Sequence, residues 1–258
     1  MHHTLRKSLK GVIFLSVILV ATQLWAQKPR PINLPYYDDA PYHFGFVLGL
    51  NQMFFTVDHS HEFQYKTFIN DESPDTNSEE ATLNSIESNP NFGFAIGIVS
   101  NLRLGNYFDL RFIPSLSFGE RDLSYVILAK RAGITDTLSI TKPIQSTFIE
   151  FPLYVRYKSA RLNNMRSYLI GGVKYSLDLI SDARRQAKTN ETIVKLNRND
   201  FYLDLGVGFD FYTEYFKFGT ELKMSYGLRN LLRKEGNIYT EGIESLHSKI
   251  FVISFTFE

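Results

Sequence analysis

The chain contains no cysteine. No disulfide framework and no thiolate metal site is therefore available to it, and its stability must come from its hydrophobic pattern. It has a single tryptophan, Trp25. Charge of neither sign dominates: 28 basic residues stand against 27 acidic ones, a formal net charge of +1. No basic stripe for nucleic acid and no glycine-rich phosphate loop can be picked out. No apolar run reaches the ~20 residues a membrane helix needs. The strongest apolar run, residues 11–20, lies near the start.

That run follows Arg6, Lys7 and Lys10, and Leu24-Trp25-Ala26 precedes Gln27 in the manner of a signal-peptidase site. Residues 1–26 thus read as an export signal. Residues 27–41 carry Pro29, Pro31, Pro35 and Pro41 and read as an extended lead-in.

From Tyr42 onward the chain alternates with the two-residue period of strands, whose successive side chains point to opposite faces. Phe44, Phe46, Leu48 and Leu50 alternate with Gly45, Val47, Gly49 and Asn51, and the pattern recurs near 92–99, 108–119, 149–157, 168–179, 201–211, 216–226 and 251–257. Eight strands result. Long polar connections at about 58–90, 122–145, 181–199 and 230–247 alternate with short joins near Gly105, at 159–165 and at 212–215. Neither a repeat nor a second domain is visible.

Alternation alone does not separate a lipocalin-like soluble barrel from a membrane barrel, which inverts it. Eight strands leave an interior too narrow for this many Phe, Tyr and Leu side chains. The other face is rich in glycine, which suits a crowded lumen. Short turns at one end and long loops at the other are the layout of outer-membrane barrels. We therefore expect residues 42–258 to form an all-β, eight-stranded antiparallel outer-membrane β-barrel, monomeric by itself, with both termini periplasmic. Tyr42, Tyr107, Tyr125, Tyr157, Tyr168, Tyr215 and Tyr226 would supply the interfacial aromatics, and Pro114 and Pro152, which remove ladder donors in a closed barrel, could be absorbed by bulges.

The near-palindrome GFDFYTEYFKFG at 208–219 reads as a hairpin. Setting Phe211 opposite Phe216 places Asp210 opposite Lys217 and Asp204 opposite Lys223. A short turn at Gly105 likewise sets Arg103 opposite Asp109. The expected lumen charges are Arg103, Asp109, Arg111, Glu150, Arg156, Lys174, Asp204, Asp210, Lys217, Glu221 and Lys223. Mutual neutralisation in a closed plug is favoured over a pore, because water-filled channels belong to wider barrels.

Candidate chemistry is sparse. His59, His61 and His247 could meet at the closing seam and bind a metal, but no strand-borne carboxylate is placed to support and orient them, so they read as exposed loop histidines. No catalytic residue, cofactor site or metal site is assigned, and the chain reads as a non-enzyme. The 58–90 stretch holds eight acids and one lysine, Lys66, and reads as a solvated loop or a docking surface for a basic partner. Tyr36, Tyr37, Asp38 and Asp39, two tyrosines beside two acids just before the first strand, read as a partner-binding site.

The segment NLPYYDDAPYHFGF at 33–46 resembles the start of the PorT family, outer-membrane barrels of Bacteroidetes that take part in type IX secretion. FIEFPLYVRY at 148–157, followed by LIGGV at 169–173, is similar to a wider family of such barrels. The resemblance implies a non-enzymatic component, anchor or interaction scaffold, needed for protein export through the type IX machinery, with other components of that machinery as partners beside the lipid bilayer. A surface adhesin binding ligands through its outer loops and an outer-membrane enzyme are the alternatives. Many such barrels end on an aromatic residue, whereas here Glu258 follows Phe257; insertion is expected to be unaffected.

Overall fold

A computed structural model describes residues 31–61, 63–71, 76–180 and 194–258. The expected signal segment lies outside the described residues, as do 27–30 of the lead-in and Glu62, Glu72 and Asp75 of the acidic stretch. The strands are β1 (Tyr42–His59), β2 (Thr67–Asp71), β3 (Ser78–Arg103), β4 (Phe108–Phe112), β5 (Ser115–Arg131), β6 (Ile134–Lys158), β7 (Met165–Asp178), β8 (Asn199–Tyr212), β9 (Lys217–Gly227) and β10 (Ile243–Phe257). A one-turn helix, α1 (Ile238–Glu241), precedes β10.

Every pairing is antiparallel, and β1 bonds to both β10 and β3, so the sheet closes on itself. β4 and β5 are consecutive pieces of one stave between β3 and β6, and β2 pairs only with the N-terminal end of β3. The ten strands therefore make an eight-stave barrel. Around the eight staves closure leaves no edge strand, the condition for strands to cross a bilayer; among the described residues free edges lie on the extensions beyond them, as along β2 and the first half of β6.

The expected faces hold. Phe44, Phe46, Leu48 and Leu50 are exposed on the outside of β1, as are Leu203, Leu205, Val207 and Phe209 on β8, while Asp204 and Asp210 are buried between them. A soluble barrel would place these groups the other way round. Tyr42, Tyr107, Tyr157 and Tyr215 are exposed near the short-turn end, but Tyr125 and Tyr168 are buried inside and leave the expected aromatic set.

Both proline problems resolve in one place. Phe112 pairs with Leu153 and Ser115 with Glu150, so the constant register sets Ile113-Pro114 against Phe151-Pro152. The two missing donors share one gap. Within it Ile113 N still donates to Pro152 O at 3.4 Å and Ile98 N to Pro114 O at 3.1 Å.

Two expected loops are strands instead. β3 begins at Ser78, and β5 and β6 continue to a two-residue turn at Ala132-Gly133, where φ is 47° and 79°. Positive φ at both central residues is what a primed hairpin turn requires. The period of two persists up these extensions, but its phase flips. Leu116 and Phe118 point outward on β5, whereas Leu123, Tyr125 and Ile127 point inward; on β1, Leu48 and Leu50 point outward, whereas Met53 and Phe55 point inward. Above the flip the sheet buries its apolar face inside and turns Glu80, Glu87 and Ser124 outward, as a water-facing protein does.

The hairpin register also needs correction. Phe211 pairs with Phe218 and Tyr212 with Lys217, so Asp210 lies opposite Gly219, Asp204 opposite Ser225 and Lys223 opposite Gly206. The turn chemistry sets this. Thr213 Oγ1 donates to Phe216 O at 2.7 Å and accepts from Phe216 N at 3.1 Å, centring the turn on Glu214-Tyr215.

Candidate functional site: a charge-balanced lumen

Inward positions of the eight staves bring a set of ionic side chains together along the barrel axis. Arg111 on β4 lies against Glu221 on β9 and Glu258, with all three side chains fully buried. Glu221 also takes Lys223 at 2.5 Å, Tyr168 Oη at 2.8 Å and Ser254 Oγ at 3.2 Å. Arg156 on β6 donates to Asp210 on β8 at 2.5 Å, and its guanidinium lies 3.7 Å from the Tyr168 ring centre. Lys158 bonds Asp109 at 2.6 Å. Lys174 bonds Glu150 at 3.1 Å and lies 3.9 Å from Asp204, which also accepts from Tyr154 Oη at 2.5 Å. Among the described residues, eight buried Lys and Arg side chains face eight buried carboxylates, Glu258 included. Pairing within hydrogen-bond distance is what makes such burial tolerable.

Ten of the eleven expected charges lie in this lumen. The exception is Arg103, which pairs with Asp109 in register yet turns its side chain to the rim, 26% exposed, toward Asp39 at 3.4 Å. None of the proposed hairpin ion pairs forms across neighbouring strands. Arg121, Lys158, Arg166, Asp178, Asp200 and Glu258 were missed, although those on strands share the inward parity of their expected neighbours.

Tyr168 shows how tightly the wall is fitted. A Cβ on Gly208 would lie 2.4 Å from Tyr168 Cζ, so only glycine leaves room for the ring that reaches Glu221. Gly208→Val is expected to displace the ring and destabilise the barrel by about 1–3 kcal/mol or more. Heat-modifiability on a gel and the urea midpoint in lipid vesicles would register the loss.

The lumen is closed at its short-turn end by the lead-in. A 3-10 turn at Tyr37–Asp39 sets Asp38 against Tyr212 Oη at 2.8 Å and Arg166 at 3.1 Å. The Arg161 guanidinium lies 3.6 Å from the Tyr212 ring centre. Tyr37 stacks on His43 at 4.1 Å, and burial, then the Asp210 carboxylate, push its phenol above its ordinary range. Of the quartet expected to bind a partner, Tyr37 and Asp38 are half-buried against the barrel mouth, whereas Tyr36, 80% exposed, and Asp39, whose side chain is 71% exposed, remain open.

At the other end an apolar cluster fills the interior. Phe55, Leu83, Ile86, Leu123 and Ile127 pack with Leu231, Ile238, Tyr239 and Leu246 from the segment around α1. Between the two ends a cavity of about 50 Å³ remains, lined by Asn51, Ser117, Glu150, Lys174 and Ser225 among others. That is room for roughly three or four waters. His59 turns to Ile86 O and aligns with Ile243, while His247 turns to Gly227 O and aligns with Thr56, so the suggested histidine cluster does not assemble. The described residues contain no cluster of His, Asp and Glu able to hold a metal.

A closed antiparallel barrel, apolar outside and ionic inside, is the architecture of an outer-membrane barrel protein. Residues 25–233 match the family described as outer membrane protein beta-barrel domain, and the chain belongs to that family. No curated protein matches it. Among solved structures it is similar to the N-terminal β-barrel domain of Pseudomonas aeruginosa OprF, at 13% identity over 83% of this chain and 97% of that one, TM-score 0.30. It is also similar to the outer membrane protein OprG of Pseudomonas aeruginosa, at 11% identity over 83% and 92%, TM-score 0.33.

Proposed function

We propose that this outer-membrane barrel is a non-enzymatic component of protein export of the type IX kind, serving as an anchor and interaction scaffold. The observation that carries the scaffold reading is the lumen: buried charges of both signs fill its middle, the Tyr37–Asp39 turn sits at one mouth and an apolar cluster fills the other end. Such a barrel acts through its exterior. The resemblance of residues 33–46 to the PorT family supports the type IX assignment. Pull-down from gently solubilised membranes tests it. Recovery of secretion-machinery proteins is expected; recovery of none, with ligand binding at the outer extensions, would replace it with the adhesin reading.

The orientation placing both termini and the short turns in the periplasm rests on the same reading and has its own test. Because the chain has no cysteine, single substitutions report without background. Thr137→Cys, on the long β5–β6 hairpin, is expected to react in intact cells with a large polyethylene-glycol maleimide that the outer membrane excludes. Glu214→Cys, in the β8–β9 turn, is expected to react only after lysis. The reverse pattern would invert the orientation.

A further inference from the structure

Lys249 is unusual among the strand residues. It lies on the outward face of β10, between Phe54 of β1 and Tyr226 of β9, at the level where the apolar face of the wall changes from outside to inside, and on β10 the outward residues below it are Phe251, Ile253, Phe255 and Phe257. Its ammonium is 5.8 Å from the Phe54 ring centre and 5.7 Å from that of Phe251. Among the described residues it has no hydrogen-bond or ion-pair partner. Two phenylalanine faces at that distance are a weak substitute for an anion. One step up the same face stands His247, stacked on Tyr226 at 5.9 Å. Its Nδ1–H donates to Gly227 O at 3.1 Å, so Nε2 faces out and donates to an anion only in the imidazolium form.

The depth is informative. Lys249 stands eight residues above Phe257 on β10, which at ~3.3 Å per residue and ~40° of tilt is about 20 Å. An outward apolar band is ~25 Å tall. The ammonium therefore sits near the top of the band, on the side of the long connections, and a lysine stem there reaches toward the headgroups. Lys249 and His247 lie about 7 Å apart along the strand, a separation that one phosphate can bridge through the flexible lysine stem. Below them Phe54 and Phe251 offer an apolar wall to acyl chains.

We infer that Lys249, joined by His247 in its imidazolium form and by Tyr226, forms a binding site for the phosphate of an outer-leaflet glycolipid of the lipid A type, whose chains lie on Phe54 and Phe251. An anion supplies the counter-charge that the protein itself does not provide, and the position of the site at the outward edge of the band selects the outer-leaflet lipid. This rests on the orientation proposed above, which the Thr137→Cys labelling checks independently, so failure of one is distinguishable from failure of the other.

The test uses the purified full-length barrel in detergent, incubated with diphosphorylated lipid A, dephosphorylated lipid A or phosphatidylglycerol, with retained lipid counted by native mass spectrometry. The wild type and Lys249→Arg are expected to retain one diphosphorylated lipid A. Lys249→Met should retain at least fivefold less while remaining heat-modifiable, since the position faces outward and makes no internal bond. Equal retention by Lys249→Met overturns the site. Equal retention of the dephosphorylated lipid would mean binding through chains alone, and equal retention of phosphatidylglycerol would mean general anionic-lipid affinity; either also overturns it.

Discussion

Arg156→Met should fold poorly, and Arg156→Met combined with Asp210→Asn should recover much of the loss. Arg156 and Asp210 are both buried and lie 2.5 Å apart, on β6 and β8 with β7 between them. Removing the guanidinium alone leaves the carboxylate in a dry lumen, a change that costs about 3–5 kcal/mol. Removing both charges leaves neither group uncompensated, and replacement of a buried pair by neutral residues is often close to neutral. Urea-induced unfolding in lipid vesicles measures the three stabilities. A double variant no more stable than the single one would show that Asp210 draws its compensation from elsewhere in the lumen, for instance Lys217.

This pair also shows what the amino-acid pattern can and cannot convey. Which residues face inward was readable, because a strand's side-chain period is two and any even shift of register preserves the face. The hairpin register read from the palindrome was off by two, yet every residue from Asp204 to Lys223 kept its predicted face. The letters are symmetric about Thr213-Glu214, but the Thr213 hydroxyl centres the turn one residue later. Charge partners were not readable. In a narrow lumen a side chain reaches staves it does not neighbour, as Arg111 on β4 reaches Glu221 on β9, so pairing across adjacent strands is a poor guide to who neutralises whom.

The outer extensions were misread for a related reason. Polar residues at 78–90 and 122–145 suggest loops if apolar residues are expected on the lipid side. Above the bilayer the solvent outside is water, and the same two-residue period places Leu83, Leu123 and Ile127 inside and Glu80 and Lys130 outside. The lead-in is a different case. Tyr37, Asp38 and Asp39 have the composition of an exposed interface, and only the positions of Tyr212, Arg166 and Arg103, far along the chain, reveal that the barrel mouth itself is their partner.

Leu205→Arg should impair insertion, with no rescue available from any lumen substitution. Leu205 is 60% exposed at the middle of β8, with Leu203 and Val207 on the same face. A cation there meets hydrocarbon, at a cost of roughly 2–4 kcal/mol at mid-depth and approaching zero near the interfaces. Depth and face are therefore separable by experiment. Asn199→Arg, at the outer end of the same face, should cost little, and the difference between the two variants measures the lipid slab. The lumen offers a second contrast, because Lys223 of β9, opposite Gly206, is tolerated inside through its bond to Glu221 at 2.5 Å. A positive charge is accepted where a carboxylate waits for it and refused one residue away, on the other side of the same wall. If Leu205→Arg unfolds at the same urea concentration as the wild type in vesicles, the β8 face does not meet lipid at that depth and the placement of the bilayer on this barrel fails.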